Sequence, residues 1–75
     1  MDTQTRIKMV LVGEKSSITD IESRLMERYP EDNIKPRSIR NKLDKGTIRF
    51  DEVQKMMDIL GYDVIIRNRQ TGREF

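Results

Sequence analysis

The stretch IKPRSIRNKLDKGTIRF, residues 34–50, holds six of the 15 lysines and arginines of this 75-residue sequence. It contains a single acid, Asp44, so six positive charges against one negative give the stretch a net charge of +5. The whole chain carries only +2, and the other residues therefore sum to −3. A positive cluster in an otherwise acidic chain favours a polyanionic partner for this segment.

The apolar residues of the same stretch predict a helix. Ile39 and Leu43 are four positions apart, which at 100° per residue places them about 40° from each other on one helical face. Pro36 has the fixed φ that suits the first position of a helix, and Gly46 suits the cap after the last one. We therefore predict a helix over about 36–45 that turns one face toward the core.

Three further segments repeat their apolar residues at helical spacing. They cover residues 3–14, 16–30 and 50–61, and Gly13, Pro30 and a final glycine end them in turn. The predicted apolar stripes of these helices are Ile7, Val10 and Leu11, then Ile18, Ile21, Leu25, Met26 and Tyr29, then Val53, Met56, Met57 and Leu60.

Two helix starts have candidate caps. Asp2 or Thr3 is placed to cap the first helix, because short polar side chains accept hydrogen bonds from free amides there. Thr19 and Glu22 have the spacing of a capping box, which predicts that they begin the second helix together.

The last fourteen residues change period. Residues 62–67 alternate in a way typical of a strand, with Val64 and Ile66 on the inner face, and Thr71-Gly72 suits a turn into a short return strand. An isolated hairpin is marginal in water, which favours pairing with a second copy over a monomer. The predicted dimerisation residues are Val64, Ile65 and Ile66.

The expected fold is mainly α, with four or five short helices that include a helix-turn-helix, followed by a short C-terminal β-strand or hairpin. Residues 1–61 would form the helical DNA-binding domain and residues 62–75 the strand or hairpin, a candidate dimerisation element. At this length a chain supports one modest core.

Composition excludes several functions. The chain has no cysteine and no histidine, so it lacks the usual metal ligands, a thiol nucleophile and an imidazole base. No apolar run approaches the ~20 residues of a membrane-spanning helix, and the N-terminus has no signal-peptide core. We expect a cytoplasmic protein that is not an enzyme and that uses no cofactor, metal or membrane.

A helix with a core face and a donor-rich face fits the major groove of double-stranded DNA. Arginine pairs with both acceptors of guanine and asparagine with adenine, whereas flanking lysines and arginines contact phosphates. The predicted base-reading residues are Arg37, Ser38 and Asn41. The predicted phosphate contacts are Lys35, Arg40, Lys42, Lys45, Thr47 and Arg49.

The segment PRSIRNKLDKGTIRFDEVQKMMDILGYDV, residues 36–64, resembles the third and fourth helices of lambda-repressor-like (Cro/repressor, XRE-type) regulators. In that family a recognition helix ending in a basic residue and glycine precedes an amphipathic helix that closes in Leu-Gly-Tyr. The resemblance implies a homodimeric transcriptional regulator of bacterial, phage or plasmid type, associated with the nucleoid. The family's base-reading positions fall on Arg37, Ser38 and Asn41.

The resemblance is looser before residue 36. The family joins its second and third helices by a short turn with a glycine, after a small residue that lets the helices approach. Here MERYPEDNIKP, residues 26–36, is longer and has no glycine, and Ser23 is the candidate small residue. Two other interpretations remain: a protein-interaction module, such as an antitoxin-like protein or a phage adaptor, or a basic face that is merely solvated.

Overall fold

Four α-helices form most of the fold, as the apolar spacing predicts. The computed structural model describes residues 2–75 of the chain. Its elements, in chain order, are α1 (Thr3–Gly13), α2 (Ile18–Arg28), a single 3₁₀ turn (Pro30–Asp32), α3 (Ser38–Lys45) and α4 (Phe50–Leu60). The prediction of a mainly helical chain is confirmed.

One apolar core joins the helices, and each helix contributes two buried residues to it. All of them belong to the predicted stripes, and α2 packs against both α3 and α4. Half-buried residues such as Ile34, Ile48 and Val64 cover the edges of this core. The buried residues are Ile7 and Leu11, Ile21 and Leu25, Ile39 and Leu43, and Met56 and Met57.

The cap of α1 is as predicted and that of α2 is not. The carboxylate of Asp2 accepts a hydrogen bond from the Thr5 amide at 2.8 Å. At α2 the cap is Ser17, whose hydroxyl accepts from the Asp20 amide at 3.1 Å. Because the helix already begins at Ile18, Thr19 lies inside it and cannot act as its N-cap. The prediction that Thr19 and Glu22 form a capping box is therefore wrong.

The start of α3 lies two residues after the predicted one. Pro36 and Arg37 are the central residues of a tight turn, which the Ser38 amide closes by donating to the Lys35 carbonyl at 3.1 Å. Arg37 has φ 69° and ψ −3°, the values of the third residue of a type II turn. The fixed φ of Pro36 suits the second position of that turn as well as the first position of a helix. For this reason the sequence predicted that the helix begins at Pro36.

The long connection between α2 and α3 is held against α4. An ion pair joins Asp32 to Lys55, and the ammonium group of Lys55 also lies 4.8 Å from the centre of the Tyr29 ring. Ile34 packs against the core from the same connection. These contacts fix the position from which α3 departs, without the glycine turn that the resemblance implied.

Within residues 2–75 the C-terminal segment forms no β-strand, so the predicted strand is wrong, although the chain does fold back on itself as a short turn. The chain does reverse at residues 69–71, next to the predicted turn, but the two arms form only one isolated antiparallel bridge, between Arg67 and Glu74. One bridge is too little pairing to make a strand, because a ladder needs several successive residues to hold its pleat.

Val64 packs against the core as predicted, whereas Ile66 does not. Ile66 is 63% exposed and Ile65 is 52% exposed, so both side chains face water. From Ile66 onward the backbone pairs with the chain's own C-terminal residues, and residues 65–75 are all exposed, so neither side of this segment is buried against the helices. Of the three predicted dimerisation residues, only Ile65 and Ile66 are free of the protein's own core.

The helices of residues 2–75 are all too short and too polar to cross a lipid bilayer.

Candidate nucleic-acid interface

The two faces of α3 differ as the sequence predicts. Ile39 and Leu43 are 2% and 3% exposed and anchor the helix to the core. Asn41 is exposed on the outer face, and Arg37 is exposed at the residue before the helix. Ser38 is half-buried and its hydroxyl donates to the Lys35 carbonyl at 2.7 Å, which orients it toward its own turn. Arg37 and Asn41 are therefore the predicted base-reading side chains that are open to a partner.

Most of the predicted phosphate contacts are open to solvent. Thr47 is an exposed neutral residue directly after α3. Among the ion pairs of residues 2–75, none involves the basic residues at positions 35, 37, 40 and 45. Unpaired surface cations attract polyanions from a distance of about one Debye length, ~8 Å at physiological salt. The exposed, unpaired cations of this face are Lys35, Arg37, Arg40 and Lys45.

Two predicted phosphate contacts are instead engaged with Glu52 at the start of α4. The ammonium group of Lys42 lies 2.6 Å from the Glu52 carboxylate, which also accepts from the Arg49 amide at 2.9 Å. Burial would raise the pKa of this carboxyl group, but the hydrogen bonds from Lys42 and Arg49 lower it below the usual value. Glu52 is thus ionised at neutral pH, and Lys42 serves to hold α3 against α4.

The guanidinium of Arg49 is more available than the ammonium of Lys42. It lies 3.5 Å from Asp51 and 3.6 Å from Glu52, and its side chain is 71% exposed. Exposed ion pairs of this kind contribute at most about 1 kcal/mol and exchange readily with other anions. Arg49 therefore stays a candidate phosphate contact, whereas Lys42 would have to leave a closer partner.

Asp44 is the one acid in the basic segment, and it lies beside α1. Its carboxylate is 4.0 Å from the ammonium group of Lys8, and both side chains are more than half exposed. An adjacent cation reduces the repulsion between a carboxylate and a phosphate backbone. Asp44 follows Asn41 by three residues, about one helical turn, so it borders the open side of α3 and its charge is offset in part by Lys8.

Arg37 has a left-handed backbone conformation that favours glycine. Its φ of 69° brings the Cβ close to the following carbonyl oxygen, which costs a residue other than glycine roughly 1–2 kcal/mol. Strained backbone positions are concentrated at functional sites, where the side chain is needed for something other than stability. Lys15 and Asn33 also have positive φ, so this conformation marks a local cost at Arg37 and does not by itself assign the residue a role.

This strain predicts an effect on stability. Arg37→Gly is expected to have a free energy of unfolding about 1 kcal/mol higher than Arg37→Ala, because only glycine relieves the positive φ. Urea denaturation of the two variants measures the difference. The comparison uses alanine as the control, since both changes remove the same guanidinium group. Equal stabilities would show that residue 37 is not held in the left-handed conformation.

Glu22 positions α3 from the neighbouring helix. Its side chain is buried, with only 4% of the residue exposed, and the carboxylate accepts a hydrogen bond from the Ile39 amide at 3.0 Å. That amide is in the first turn of α3, where backbone donors have no partner within the helix. Arg37, the residue before α3, makes no side-chain cap. Glu22 thus supplies from α2 the cap that α3 lacks.

Two features of the sequence point to this contact. Glu22 is four residues after Ile18 and three before Leu25, so it belongs to the apolar face of α2, where an unpaired carboxylate would be costly. The segment before α3 also lacks the serine, threonine, aspartate or asparagine that usually caps a helix. Ser23, the expected contact residue, is exposed and donates to the Thr19 carbonyl at 3.2 Å.

Within residues 2–75, acidic side chains do not gather in groups of three or more that would hold a metal ion. The outer side of α3 and the residues flanking it form the candidate interface. In comparisons with known proteins, no family model, curated protein or solved structure matches the chain.

Proposed function

We propose that the protein is a sequence-specific double-stranded DNA-binding transcriptional regulator of lambda-repressor-like type, from a bacterium, phage or plasmid. It acts by occupying its site and performs no reaction. One observation carries the proposal: α3 buries Ile39 and Leu43 and leaves Arg37 and Asn41 open in a segment of net charge +5. An α-helix anchored on one side and bearing guanidinium and amide groups on the other suits the major groove.

The side chains divide into two roles. Arg37 and Asn41 discriminate bases, because arginine and asparagine form paired hydrogen bonds with guanine and adenine. Exposed cations around them supply affinity by displacing counterions from the phosphates, without regard to sequence. The proposed phosphate contacts are Lys35, Arg40, Lys45 and Arg49, and Thr47 adds a neutral donor.

Pairing of two copies would let the protein bind two half-sites. Ile65 and Ile66 expose apolar surface just after the residue that packs on the core, which supports this part of the proposal. Isologous contacts between two copies produce two-fold symmetry, and the site would then be palindromic. Selection from a random duplex library reports both whether a preferred sequence exists and whether it is palindromic.

Three alanine variants test the assignment of roles. On the selected duplex, Arg37→Ala and Asn41→Ala should each lose about 1–3 kcal/mol of binding free energy and relax one base position. Arg49→Ala should weaken the selected and a scrambled duplex by the same factor. Fluorescence anisotropy at several salt concentrations measures these values. If all three variants weaken both duplexes alike, the division of roles is wrong.

Salt dependence separates this proposal from a protein-interaction module. Phosphate contacts require binding to weaken steeply between 50 and 200 mM salt, by about one power of salt concentration for each contact. No binding of duplex at 50 mM salt, or binding that is independent of salt, would favour the module instead. Charge alone does not distinguish the two functions, because an acidic protein also binds a basic surface.

A further inference from the structure

A second cluster of positive charge lies at the C-terminal end of the chain. The segment RNRQTGR, residues 67–73, has three arginines and no acid, so its net charge is +3. With +5 in residues 34–50 and +2 overall, the rest of the chain sums to −6. The excess positive charge of the protein is thus confined to two segments, of which the interface around α3 uses only one.

Residues 67–73 form an ordered turn that presents Arg69 at its tip. The side-chain oxygen of Asn68 accepts from the Gln70 and Thr71 amides, at 2.9 and 3.1 Å. The Asn68 amide donates to the Arg73 carbonyl at 2.9 Å and closes the turn. The side-chain oxygen of Asn68 is thereby engaged within the turn, and Arg69 and Gln70 are the polar side chains left at the tip.

The hairpin made by residues 66–75 forms no backbone hydrogen bond with the rest of the described chain, residues 2–65. Every residue from Ile65 to Phe75 is exposed, and the backbone hydrogen bonds of residues 66–75 all stay within the hairpin. The molecule measures 41 × 25 × 23 Å, which is elongated for a chain of this length. Since an isolated hairpin is marginal in water, this one gains most from a partner outside the chain.

The three arginines of the hairpin are not equally engaged. The guanidinium of Arg67 lies 3.7 Å from the Glu74 carboxylate, and that of Arg73 lies 4.9 Å from the centre of the Phe75 ring. Arg69 takes part in none of the ion pairs of the described chain, residues 2–75. Arg69 is therefore the most available cation of the hairpin and is also the one at its tip.

The base of the hairpin lies beside the proposed DNA interface. Val64 shares a groove with Ile48 and Phe50, which flank the candidate phosphate contact Arg49. From Val64 to Arg69 the chain extends five residues, at most about 17 Å at ~3.3 Å per residue. Along one side of B-DNA the major groove and the next minor groove are about half of the ~34 Å helical turn apart, roughly 17 Å. The hairpin can thus reach from the end of the α3 segment to a neighbouring groove.

We propose that the hairpin is a second DNA contact, in which Arg69 enters the minor groove next to the major-groove site of α3. The inference rests on the proposed function and extends it to bases outside the α3 site. Arginine favours narrow, A·T-rich minor grooves, where the negative potential is strongest. Gln70 belongs to the residue types that read that groove, and Arg67 and Arg73, on the two arms of the hairpin, are the residue type that contacts phosphates.

The test uses the full chain and the duplex selected from the random library, with A·T-rich or G·C-rich flanks. Arg69→Gln should weaken binding to the A·T-flanked duplex about tenfold and remove the preference between flanks, because the minor-groove contact is lost. Arg69→Lys should keep the salt dependence but recover only part of the flank preference. Arg28→Gln removes an arginine of α2 that is paired with Asp58 at 2.8 Å; it controls for the loss of one positive charge and should bind like wild type.

Three outcomes overturn the hairpin contact. They are wild-type affinity in Arg69→Gln, an equal loss in Arg28→Gln, or a loss that does not depend on the flanks. Arg37→Ala, measured alongside, separates this failure from that of the proposed function. If Arg37→Ala still loses discrimination, α3 reads DNA without the hairpin; if wild type fails to bind duplex at 50 mM salt, both proposals fall. Thermal melting by circular dichroism verifies that each variant is folded.

Discussion

Replacing Ile39 with alanine is expected to lower the free energy of unfolding by about 2–5 kcal/mol. Ile39 is 2% exposed, and the change removes buried methyl groups and leaves a cavity that the neighbouring helices fill only in part. The helix α3 has eight residues and only one other buried residue, Leu43, so the loss falls on an element with few other contacts. A 75-residue domain has a total stability of roughly 4–11 kcal/mol, and this change removes a large fraction of it.

Urea denaturation measures the loss, and Ile65→Ala provides the control. Ile65 is 52% exposed, so the same kind of truncation there should change the free energy of unfolding by less than about 0.5 kcal/mol. A loss below about 1 kcal/mol in Ile39→Ala would contradict the arrangement in which α3 is anchored through this residue. The outer face of α3 would then not be the one bearing Arg37 and Asn41.

The second large effect is expected at Glu22. Glu22→Ala should cost about 1–3 kcal/mol, because the Ile39 amide loses its acceptor in a buried environment. Glu22→Gln should cost less, since its side-chain oxygen can accept the same hydrogen bond. Chemical denaturation gives the two free energies, and the nitrogen-15 and proton shifts of the Ile39 amide report the hydrogen bond directly.

Ser23→Ala is the matched control for Glu22. Ser23 is the next residue of α2 but is exposed, and its hydroxyl donates only to the carbonyl one turn earlier. Its removal should change stability by less than about 0.5 kcal/mol and leave the Ile39 amide unshifted. Equal stability of Glu22→Ala, Glu22→Gln and the control would show that the carboxylate does not cap α3.

Glu22 also affects discrimination between DNA sequences if the proposed function holds. It sets the position of the first turn of α3, next to Arg37, so its loss displaces a proposed base-reading side chain without removing one. Loss of a positioning contact reduces the difference between the selected and the scrambled duplex more than it reduces affinity for both. This comparison distinguishes a role in positioning from a role in stability alone.

The sequence by itself determined the helices and the core. Each helix contributes two buried apolar residues, such as Ile21 and Leu25 from α2, and all of these apolar residues were assigned from spacing. This works because a helix has a fixed period, so apolar residues three and four apart must share a face whatever the neighbours are. The outward position of Asn41 on α3 follows from the same period, whereas Arg37 precedes the helix and is placed by the turn of residues 35–38.

Only the tertiary structure decided how α3 is held and where it begins. Pro36 fits the second position of a turn and the first of a helix equally well, and nothing local chooses between them. The cap of α3 comes from Glu22, seventeen positions earlier in the chain, which no local capping rule relates to Ile39. Likewise, lysine is a residue type that contacts phosphates, but the fold brings Lys42 next to Glu52, with which it forms an ion pair.

The C-terminal segment shows the same limit for strands. Alternation in residues 62–67 predicted a strand, but a strand forms only when a second segment satisfies its backbone hydrogen bonds, and here a single bridge does so. A helix pairs its backbone groups within itself, and a strand depends on a partner that the local sequence does not specify. For that reason the sequence alone determined the helical part of this protein, and the packing of distant residues decided the rest.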